Sequence, residues 1–540
     1  MSRIKIGALV VLGLALVIGG YFWWVTPSSI TMSQKMAQLK NIQKTEVGSL
    51  DLSTLTYTDQ KLSQAHLYDK KNASPIIGSA LLDIEDNGTD EVFIGGGYSQ
   101  NDTWYEYSQG EWKDITNRLG WQKKGGAATY STATIDYDSD GDTDIFIGRT
   151  DGVFYYANNN KQGFADSVRV ETYIGDEAVP TGITLADLNH DGLIDMFVST
   201  YLRHDKIRGT TIFNDETHGT FSKLLLGKDN LIFEDITDRA GLAYRHNTFA
   251  GTFVDLDTDL DLDLVVVYDT GAARMYENKG DLSFREVLGT PWQNLYGYPM
   301  GIGVGDINQD GKQDLFFSNA GRDLPALVLK GDLRDDQKLF VDWALYENQG
   351  SLQFKDTSHN IDLAKHEFAW GGVLVDIDFN RKEDLIVSEN YVKIPQQRVK
   401  PLPGRVFFQG NEQKFENVVD TFNLRNPAFS LSSLVHDWNN DGAMDILWVN
   451  IAGPSVIKMS QVPGARQTAR VEVPLQSRFF GSHWEIFWAD GSSDQWSFTP
   501  TEGLGSTQSN MWTFIPKGDP STVTVYFSDG TEENGKQWYR

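Results

Sequence analysis

The 540-residue chain contains no cysteine, and its 47 lysines and arginines are outnumbered by 74 aspartates and glutamates. Without cysteine the fold has no disulfides to form or to lose. The formal net charge of −27 and the lack of a basic stripe argue against a nucleic-acid partner. Neither a phosphate-cradling glycine loop nor a zinc-binding histidine pair occurs. The acidic residues are concentrated instead in one repeated phrase.

A nine-residue phrase with carboxylate or amide side chains at positions 1, 3, 5 and 9 occurs seven times. These side chains point into one tight loop, which a glycine at position 6 lets turn sharply. Hard oxygen ligands in this number suit Ca²⁺ better than Mg²⁺. The predicted calcium ligands are Asp83, Glu85, Asn87 and Glu91 in the first loop; Asp136, Asp138, Asp140 and Asp144 in the second; Asp187, Asn189, Asp191 and Asp195 in the third; Asp255, Asp257, Asp259 and Asp263 in the fourth; Asp306, Asn308, Asp310 and Asp314 in the fifth; Asp376, Asp378, Asn380 and Asp384 in the sixth; and Asp437, Asn439, Asp441 and Asp445 in the seventh.

The alternative for any single phrase is an Asp/Gly turn that binds nothing, because these residues favour turns by themselves. Carboxylates about 4 Å apart, however, repel by roughly 1 kcal/mol per pair in water and about 4 kcal/mol in a partly shielded loop. A bound cation removes this repulsion. We therefore expect up to seven Ca²⁺ ions, one for each repeat.

The loops are not equivalent. The second loop has four carboxylates and the turn glycine Gly141, so we expect it to bind well. Leu260 replaces the glycine in the fourth loop, and Arg381 replaces it in the sixth while adding a positive charge beside the cage. The first loop has glutamates at positions 3 and 9. We expect these three loops to be weak or empty.

The spacing of the phrases predicts the fold. Their first residues lie between 51 and 70 residues apart, with only strand-like patterns between them. A small-residue strand such as 301–305 leads into the loop, a continuous apolar run such as 315–317 follows it, and an outer hairpin such as 275–284 comes next. One four-stranded sheet per repeat, stacked radially, fits this period. The predicted fold is all-β, a seven-bladed β-propeller with calcium-binding loops.

At this point the residues resemble a known family. The loops with their glycine-rich leading strands are similar to the FG-GAP/VCBS repeats of integrin α propellers, over roughly residues 75–455. Outer phrases such as 231–242 resemble the cartilage acidic protein family, and the tail 523–531 resembles a divergent ASPIC/UnbV domain. The resemblance implies calcium at the matched loop positions and a binding or scaffolding surface. It implies no reaction.

The N-terminus predicts export and anchoring. Arg3 and Lys5 precede twenty uncharged residues, 6–25, which are about long enough to cross a bilayer. A cleavable signal peptide is the alternative, although 25–29 is a poor cleavage site. We predict a single-pass membrane protein with a cytoplasmic N-terminus and a periplasmic or extracellular bulk. The predicted domains are a transmembrane signal anchor at 1–26, a stalk and propeller-closing segment at 27–74, the propeller at 75–455, and a small C-terminal ASPIC/UnbV-like β domain at 456–540.

Few residues suggest catalysis. His246, His366 and His436 lie just before or within predicted inner strands, and His366 is followed by Glu367. Adjacent residues on a strand point to opposite faces, so this pair does not act on one substrate. The loop carboxylates imitate glycosidase pairs, but they recur in every repeat, which a structural metal explains better. We therefore predict a protein that is not an enzyme, with a polysaccharide lyase as the alternative.

The predicted function is that of a calcium-binding scaffold for a protein partner, either as an accessory subunit of an envelope complex or in adhesion. The alternative is a glycan-binding or polysaccharide-active, lyase-like propeller. A partner surface is expected opposite the loops, where segments leading into the inner strands gather aromatic and cationic residues. An ordinary propeller rim is the competing interpretation. The residues are Lys123, Lys124, Arg245, His246, Tyr296, Tyr298, His366, Trp370, Arg425 and Phe429.

Overall fold

The computed structural model describes residues 50–540 except 124, 208–217, 323–328, 331–332, 390–401, 427, 464–467 and 500. The predicted membrane anchor and most of the predicted stalk lie outside the described residues. In the part that is described, no helix is long and apolar enough to span a bilayer. This part is all-β, and short 3₁₀ turns occur at His204–Lys206, Asn411–Gln413 and Ser477–Phe479.

Within the described ranges, seven antiparallel sheets, numbered 1 to 7 along the chain, each contain four consecutively paired strands, and sheet 1 gains two short strands at its edge. The first strands are Ser79–Leu82, Thr129–Ile135, Ala178–Ala186, Thr248–Val254, Ile302–Gly305, Ala369–Val375 and Phe429–His436. The second strands are Glu91–Ile94, Asp144–Arg149, Asp195–Leu202, Asp263–Tyr268, Asp314–Phe317, Asp384–Glu389 and Asp445–Ile451. The third strands are Thr103–Ser108, Gly152–Tyr156, Lys223–Lys228, Arg274–Asn278, Ala344–Asn348, Arg405–Gln409 and Pro454–Gln461. The fourth strands are Glu111–Asp114, Val168–Val170, Ile232–Asp235, Phe284–Glu286, Phe354–Asp356, Phe415–Asn417 and, for sheet 7, Thr56–Ala65.

The first strands form a closed, propeller-like ring, because each contacts the first strand of the next sheet and sheet 7 contacts sheet 1. Sheet 7 joins the two ends of the repeat region. Its fourth strand, Thr56–Ala65, precedes sheet 1 in the chain and pairs antiparallel with Pro454–Gln461. The former lies within the predicted closing segment 27–74, and the latter extends past the predicted boundary at residue 455.

Glycines in the first strands make room for aromatic side chains of the preceding sheet. A Cβ at Gly251 would lie 2.6 Å from the ring of Phe197, and a Cβ at Gly372 would lie 2.3 Å from the ring of Phe316. The second strands are buried along their whole length in sheets 2 to 7. In sheets 2, 3, 4, 6 and 7 a β-bulge near the start of the first strand increases the local twist. These features let successive sheets pack face to face.

The C-terminal domain, residues 469–540, forms a second β unit. Its four-stranded antiparallel sheet has the order Ser493–Ser497, His483–Trp488, Pro520–Tyr526 and Glu532–Gly535. A separate antiparallel pair consists of Ala469–Glu472 and Met511–Phe514. Alternate residues of His483–Trp488 are buried, which places Trp484 and Ile486 in the core of this domain.

A hairpin of the C-terminal domain lies inside the ring of first strands. This axial hairpin, residues 501–507, consists of Thr501–Glu502 and Ser506–Thr507, and the second of these strands pairs in parallel with Ser79–Leu82 of sheet 1. Leu504 and Ser506 are fully buried. Its hydrogen bonds to other sheets join Thr507 to Thr132 at 3.0 Å, Thr252 to Thr501 at 3.4 Å, Gly503 to Ile302 at 2.8 Å and Leu374 to Glu502 at 3.3 Å. The axis is therefore filled by the protein's own backbone.

Candidate metal centres

Each acidic phrase connects the first strand of a sheet to its second strand, so all seven loops lie on one side of the ring, here called the metal-loop face. Within every loop the aspartate at position 1 accepts a hydrogen bond from the backbone N–H of position 6, at distances from 2.6 to 3.3 Å. This bond closes the turn. The aspartates are Asp83, Asp136, Asp187, Asp255, Asp306, Asp376 and Asp437.

The carboxylate at position 9 fixes the other end of the loop. It accepts the backbone N–H of position 2 in every loop, at 2.8 to 3.2 Å. In sheets 2 to 7 its second oxygen accepts an N–H from the third-strand side, at 2.6 to 2.9 Å. Burial raises the pKa of this group, to about 7 for Asp144, Asp195 and Asp314 and to about 8 for Glu91 and Asp263. Burial also raises the pKa of Asp384 and Asp445.

Side chains at positions 3 and 5 complete the loop interior. The oxygen at position 5 accepts the N–H of position 7 in all seven loops, which orients its second oxygen or nitrogen. The position 5 residues are Asn87, Asp140, Asp191, Asp259, Asp310, Asn380 and Asp441. In the second, third, fifth, sixth and seventh loops the side chain at position 3 accepts the N–H of position 5, at 2.9 to 3.3 Å. These position 3 residues are Asp138, Asn189, Asn308, Asp378 and Asn439.

Three loops bring three carboxylates within cation-binding distance. In the second, fourth and sixth loops the ligand atoms lie within 4.8 Å of one another. The three clusters are Asp136, Asp138 and Asp144; Asp255, Asp257 and Asp259; and Asp376, Asp378 and Asp384. In the third, fifth and seventh loops an asparagine occupies position 3, so each has three carboxylates, the same number as the sixth loop, where the asparagine is at position 5.

The donor set fits a calcium ion. Oδ1 of Asp136 and Oδ1 of Asp257 are buried and accept no hydrogen bond from the described residues. A buried carboxylate oxygen without a partner is costly unless a cation or water satisfies it. Carboxylate, amide and backbone oxygens are also the ligands that Ca²⁺ takes. Calcium in these loops would neutralise the clustered charges and hold the first and second strands of each sheet together.

The first loop differs from the others. Asp83 clusters with Asp86 and with Glu472 of the C-terminal domain, whereas Glu85 and Glu91 cluster with Glu106. The three predicted carboxylate ligands of this loop are thus divided between two groups. Glu85 is also neutralised by Arg118, whose Nη1 lies 2.7 Å from Oε1. Nothing in the repeat pattern pointed to Glu106 or Glu472, because both come from outside the nine-residue phrase.

Two reasons for expecting weak calcium binding by the fourth and sixth loops are not supported by the structure. Leu260 and Arg381 adopt φ values of +79° and +66° themselves, so the turn forms without glycine. The Arg381 side chain also leaves the cage: its Nε lies 3.0 Å from both carboxylate oxygens of Asp494 in the C-terminal domain. The positive charge is therefore paired outside the loop, and cation binding by both loops stays a prediction.

The C-terminal domain covers the metal-loop face. It contacts a residue of every loop, or of the segment just beyond it. The contacts are Arg470 to Gly88 in the first loop and to Asn440 in the seventh, Leu475 to Asp136, Ser477 to Gly192, Gly481 to Leu262, Ser497 to Gln313, and Asp494 to Arg381. Between this domain and the fourth and fifth loops lies a cavity of about 370 Å³.

The surface expected opposite the loops, here called the open face, is less exposed than the sequence suggested. Lys123 is buried against Asp102, with 3.1 Å between Nζ and Oδ1. His246 and Trp370 are buried as well. The expectation that these three residues contribute to an exposed partner surface is wrong, because all three side chains are buried. Arg245 is exposed and lies over the ring of Phe221.

The candidate acid/base pair is held by separate partners. His366 lies 3.0 Å from the carbonyl oxygen of Asp362, measured from Nε2, and packs on Trp343. Glu367 accepts a hydrogen bond from Arg405 at 2.6 Å. These contacts account for both side chains structurally, and the prediction that the protein is not an enzyme stays a prediction.

Comparison with known proteins agrees with the repeat assignment. The FG-GAP-like repeat family matches residues 136–198 and 255–317, and each match runs from one metal loop through the next. Cartilage acidic protein 1 of Xenopus tropicalis is 20% identical over 422 residues, covering 72% of this chain. This chain spans 59% of the length of that relative. The chain therefore contains FG-GAP-like repeats, which confirms the resemblance drawn from the sequence; the ASPIC/UnbV-like tail stays a prediction.

The comparison with solved structures gives matches of low sequence identity. BBS1N in complex with ARL6DN has a TM-score of 0.43 at 10% identity, covering 77% of this chain and 98% of that one. The BP39L lectin from Burkholderia pseudomallei has a TM-score of 0.43 at 11% identity, covering 72% and 97%. The V. cholerae biofilm matrix protein Bap1 has a TM-score of 0.42 at 10% identity, covering 84% and 99%.

Proposed function

We propose that this protein is a calcium-stabilised, seven-bladed propeller that binds a partner protein as a scaffold or accessory subunit. The observation that carries the proposal is the position of the acidic loops. They recur in every sheet, they lie beneath the C-terminal domain, and two of them contain a buried carboxylate oxygen without a hydrogen-bond donor among the described residues. Ions in such places brace the fold and are not placed to meet a substrate.

The open face supports a protein partner. Because the first strand of each sheet ends at the metal-loop face, the connections from second to third strand, and from fourth to first, lie on the open face. Several large apolar side chains on these connections are exposed, and exposed apolar groups on a rigid scaffold favour protein contacts. They are Leu67, Tyr98, Tyr173, Phe221 and Leu288.

The proposed setting is an exported protein anchored through residues 6–25. The hydrophobic segment and its flanking positive charges support this proposal. A protease added to sealed cells or vesicles tests it: the bulk of the chain should be cleaved only where the protease reaches the periplasmic or extracellular side. Cleavage only after lysis of the inner compartment would contradict the proposed orientation.

The partner proposal is tested by affinity purification of the tagged full-length protein from its native membrane, in mild detergent with calcium. We expect a stoichiometric partner that is lost when Leu67 and Tyr98 are both replaced by Asp. The matched control is Ile232→Asp, since Ile232 is exposed but lies at the beginning of an outer strand. A partner retained by the double variant would remove the open face from the proposal.

A second candidate function is glycan binding in the cavity between the C-terminal domain and the fourth and fifth loops. Tyr526 and His483 face each other on adjacent strands there, and the Tyr526 hydroxyl lies 3.4 Å from Oε2 of Glu485. Aromatic faces beside carboxylate and hydroxyl groups suit a sugar. Glycan-array binding that is lost in Glu485→Ala, but not in the exposed control Glu532→Ala, would support this candidate.

A further inference from the structure

Leu260 and Arg381 occupy the turn position where the other five loops have glycine. Both have positive φ, a backbone region that is unfavourable for residues with a Cβ. Their backbone still does the work of the glycine: the N–H of Arg381 donates to Asp376 at 2.8 Å, and the N–H of Leu260 donates to Asp255 at 3.1 Å. Metal binding therefore does not explain why these side chains are present.

The side chain of Arg381 is bound by the C-terminal domain. Its Nε contacts Asp494 at 3.0 Å, and its Nη2 donates to the carbonyl of Ile515 at 3.0 Å. Lys517 lies 3.0 Å from the same carboxylate. The Arg381 side chain is 14% exposed and that of Asp494 is 9% exposed, so this ion pair is largely withdrawn from solvent.

The Leu260 side chain also lies close to the C-terminal domain. A Cβ built at Gly530 of the C-terminal domain would lie 3.6 Å from Cδ1 of Leu260. The next apolar residue of this loop, Leu262, is approached closely by Gly481, where a Cβ would lie 2.5 Å from Cδ2 of Leu262. Leu260 remains 41% exposed, which makes it the weaker of the two contacts.

Two of the glycine loops provide a contrast. A Cβ placed at Gly141 or Gly192, the same position in the second and third loops, would meet nothing within 4 Å. A side chain at these positions would have the unfavourable backbone without a contact to offset it. The first and fifth loops keep glycine although the C-terminal domain is near, since a Cβ would lie 3.5 Å from Arg470 at Gly88 and 3.7 Å from Gln495 at Gly311. The observation that distinguishes Arg381 is therefore its withdrawn ion pair with Asp494.

We infer that Leu260 and Arg381 are docking residues for the C-terminal domain, and that through them its seating is coupled to cation binding in the fourth and sixth loops. In each of the two loops a single residue, Leu260 or Arg381, supplies both the backbone N–H that orders the position 1 aspartate and the side chain that contacts the C-terminal domain. A cation that orders the turn therefore favours docking, and docking favours the cation to the same extent. The coupling half rests on the proposed calcium sites, whereas the docking half does not.

Hydrogen exchange of the full-length protein in mild detergent tests the docking half. The reporter is the axial hairpin, whose Gly503 N–H donates to Ile302 at 2.8 Å. Arg381→Gly, which keeps a residue suited to positive φ, should raise the exchange rate of hairpin amides about tenfold, with or without calcium. Leu260→Gly should have a smaller effect in the same direction. Arg334→Gly, an exposed arginine on the open face, is the control and should have none.

A double-mutant cycle identifies the ion pair as the cause. Asp494→Asn leaves the loop untouched and should reproduce the effect of Arg381→Gly, while the double variant should be no worse than either single variant. Additive effects, or a hairpin as protected in Arg381→Gly as in the natural protein, would overturn the docking assignment.

Calcium titration of the same proteins tests the coupling. Chelation should raise hairpin exchange in the natural protein and raise it less in Arg381→Gly, while Asp494→Asn should weaken one calcium site. Equal chelation effects in both proteins would overturn the coupling. If the natural protein binds no calcium at all, the proposed calcium function fails with the coupling, but the exchange measured without calcium still decides the docking half.

Discussion

At the scale of single residues, Asp136 is the clearest candidate metal ligand. Its Oδ2 accepts the N–H of Gly141 at 3.3 Å, whereas its buried Oδ1 has no donor among the described residues. A hydrogen-bonded carboxylate with one oxygen left over can give that oxygen to a cation without losing the turn. The geometry of this loop thus separates the oxygen that shapes the turn from the oxygen that would bind a cation.

Replacing Asp136 with Asn should remove one bound calcium while keeping the turn, because the amide oxygen still accepts the Gly141 N–H. At calcium about 100-fold above the dissociation constant, the lost stabilisation amounts to about 2.7 kcal/mol. Calcium stoichiometry and denaturant unfolding measure both effects. Asp281→Asn, in an exposed outer turn bonded only locally to Ser283, is the control. Unchanged stoichiometry in Asp136→Asn would remove the second loop from the metal sites.

The position 9 carboxylates predict the pH dependence. Burial raises the pKa of Asp144 to about 7 and of Asp263 to about 8, well above the value of about 3.9 in an unfolded chain. Between the unfolded pKa of about 3.9 and the folded pKa values of about 7 to 8, the metal-free folded protein binds more protons than the unfolded chain. Its free energy of unfolding therefore falls as the pH rises through this range. Calcium bound to the deprotonated carboxylates would take the place of these protons and restore the lost stability.

The corresponding measurement is the Tm between pH 5 and pH 8, with EDTA and with calcium. The Tm in EDTA should fall as the pH rises, and the gap between the two series should widen. A Tm in EDTA that rises with pH over the same range would show that these carboxylates are charged and satisfied without metal.

At the scale of elements, the closing strand Thr56–Ala65 completes sheet 7 and leaves no free edge on Pro454–Gln461. Tyr57 anchors it: the ring is buried and the hydroxyl donates to the carbonyl of Met444 at 3.1 Å. Burial raises the pKa of this hydroxyl, which therefore stays protonated and able to donate. Tyr57 thus adds a side-chain anchor at the loop end of the sheet to the backbone pairing of the strand.

Tyr57→Ala should lower the free energy of unfolding by about 3–5 kcal/mol, the usual loss for a buried aromatic side chain. Thr56→Ala, at an exposed position of the same strand, is the control and should change it little. Chemical denaturation followed by tryptophan fluorescence measures both. A loss below about 1 kcal/mol in Tyr57→Ala would mean that contacts other than those of Tyr57 hold the closing strand in sheet 7.

The sequence predicts the repeated elements well because each is determined locally. The apolar run 315–317 and the glycines of 301–305 carry their pattern within a few residues, and both strands form where expected. The axial hairpin is different. Residues 501–507 read as a polar, glycine-containing loop, and only contacts with distant sheets make them a pair of strands. The burial of Lys123 and Trp370 likewise depends on residues that are not adjacent to them in the chain.

At the scale of the whole molecule, the C-terminal domain determines which surfaces of the ring are covered. Its body covers the metal-loop face, and its hairpin fills the axis of the ring. The loop ligands could be predicted from their spacing, but Glu472 and the Arg381–Asp494 pair could not, because they depend on how two separate units meet. The proposed partner surface is therefore the open face.

Net charge also belongs to this scale. With a formal charge of −27, much of it concentrated in the loops, the metal-free protein repels itself most strongly where seven sheets meet the C-terminal domain. Calcium in the loops reduces this repulsion at its source. The effect of calcium should therefore be a stabilisation of the ring and the C-terminal domain together.

The most direct test of the calcium-stabilised fold is thermal unfolding of the purified full-length protein at pH 7.5, in calcium and after complete chelation, combined with counting of bound calcium. We expect several calcium ions per chain and a single cooperative transition whose Tm falls by several degrees or more on chelation and recovers when calcium is restored. An unchanged Tm together with no bound calcium would contradict the account.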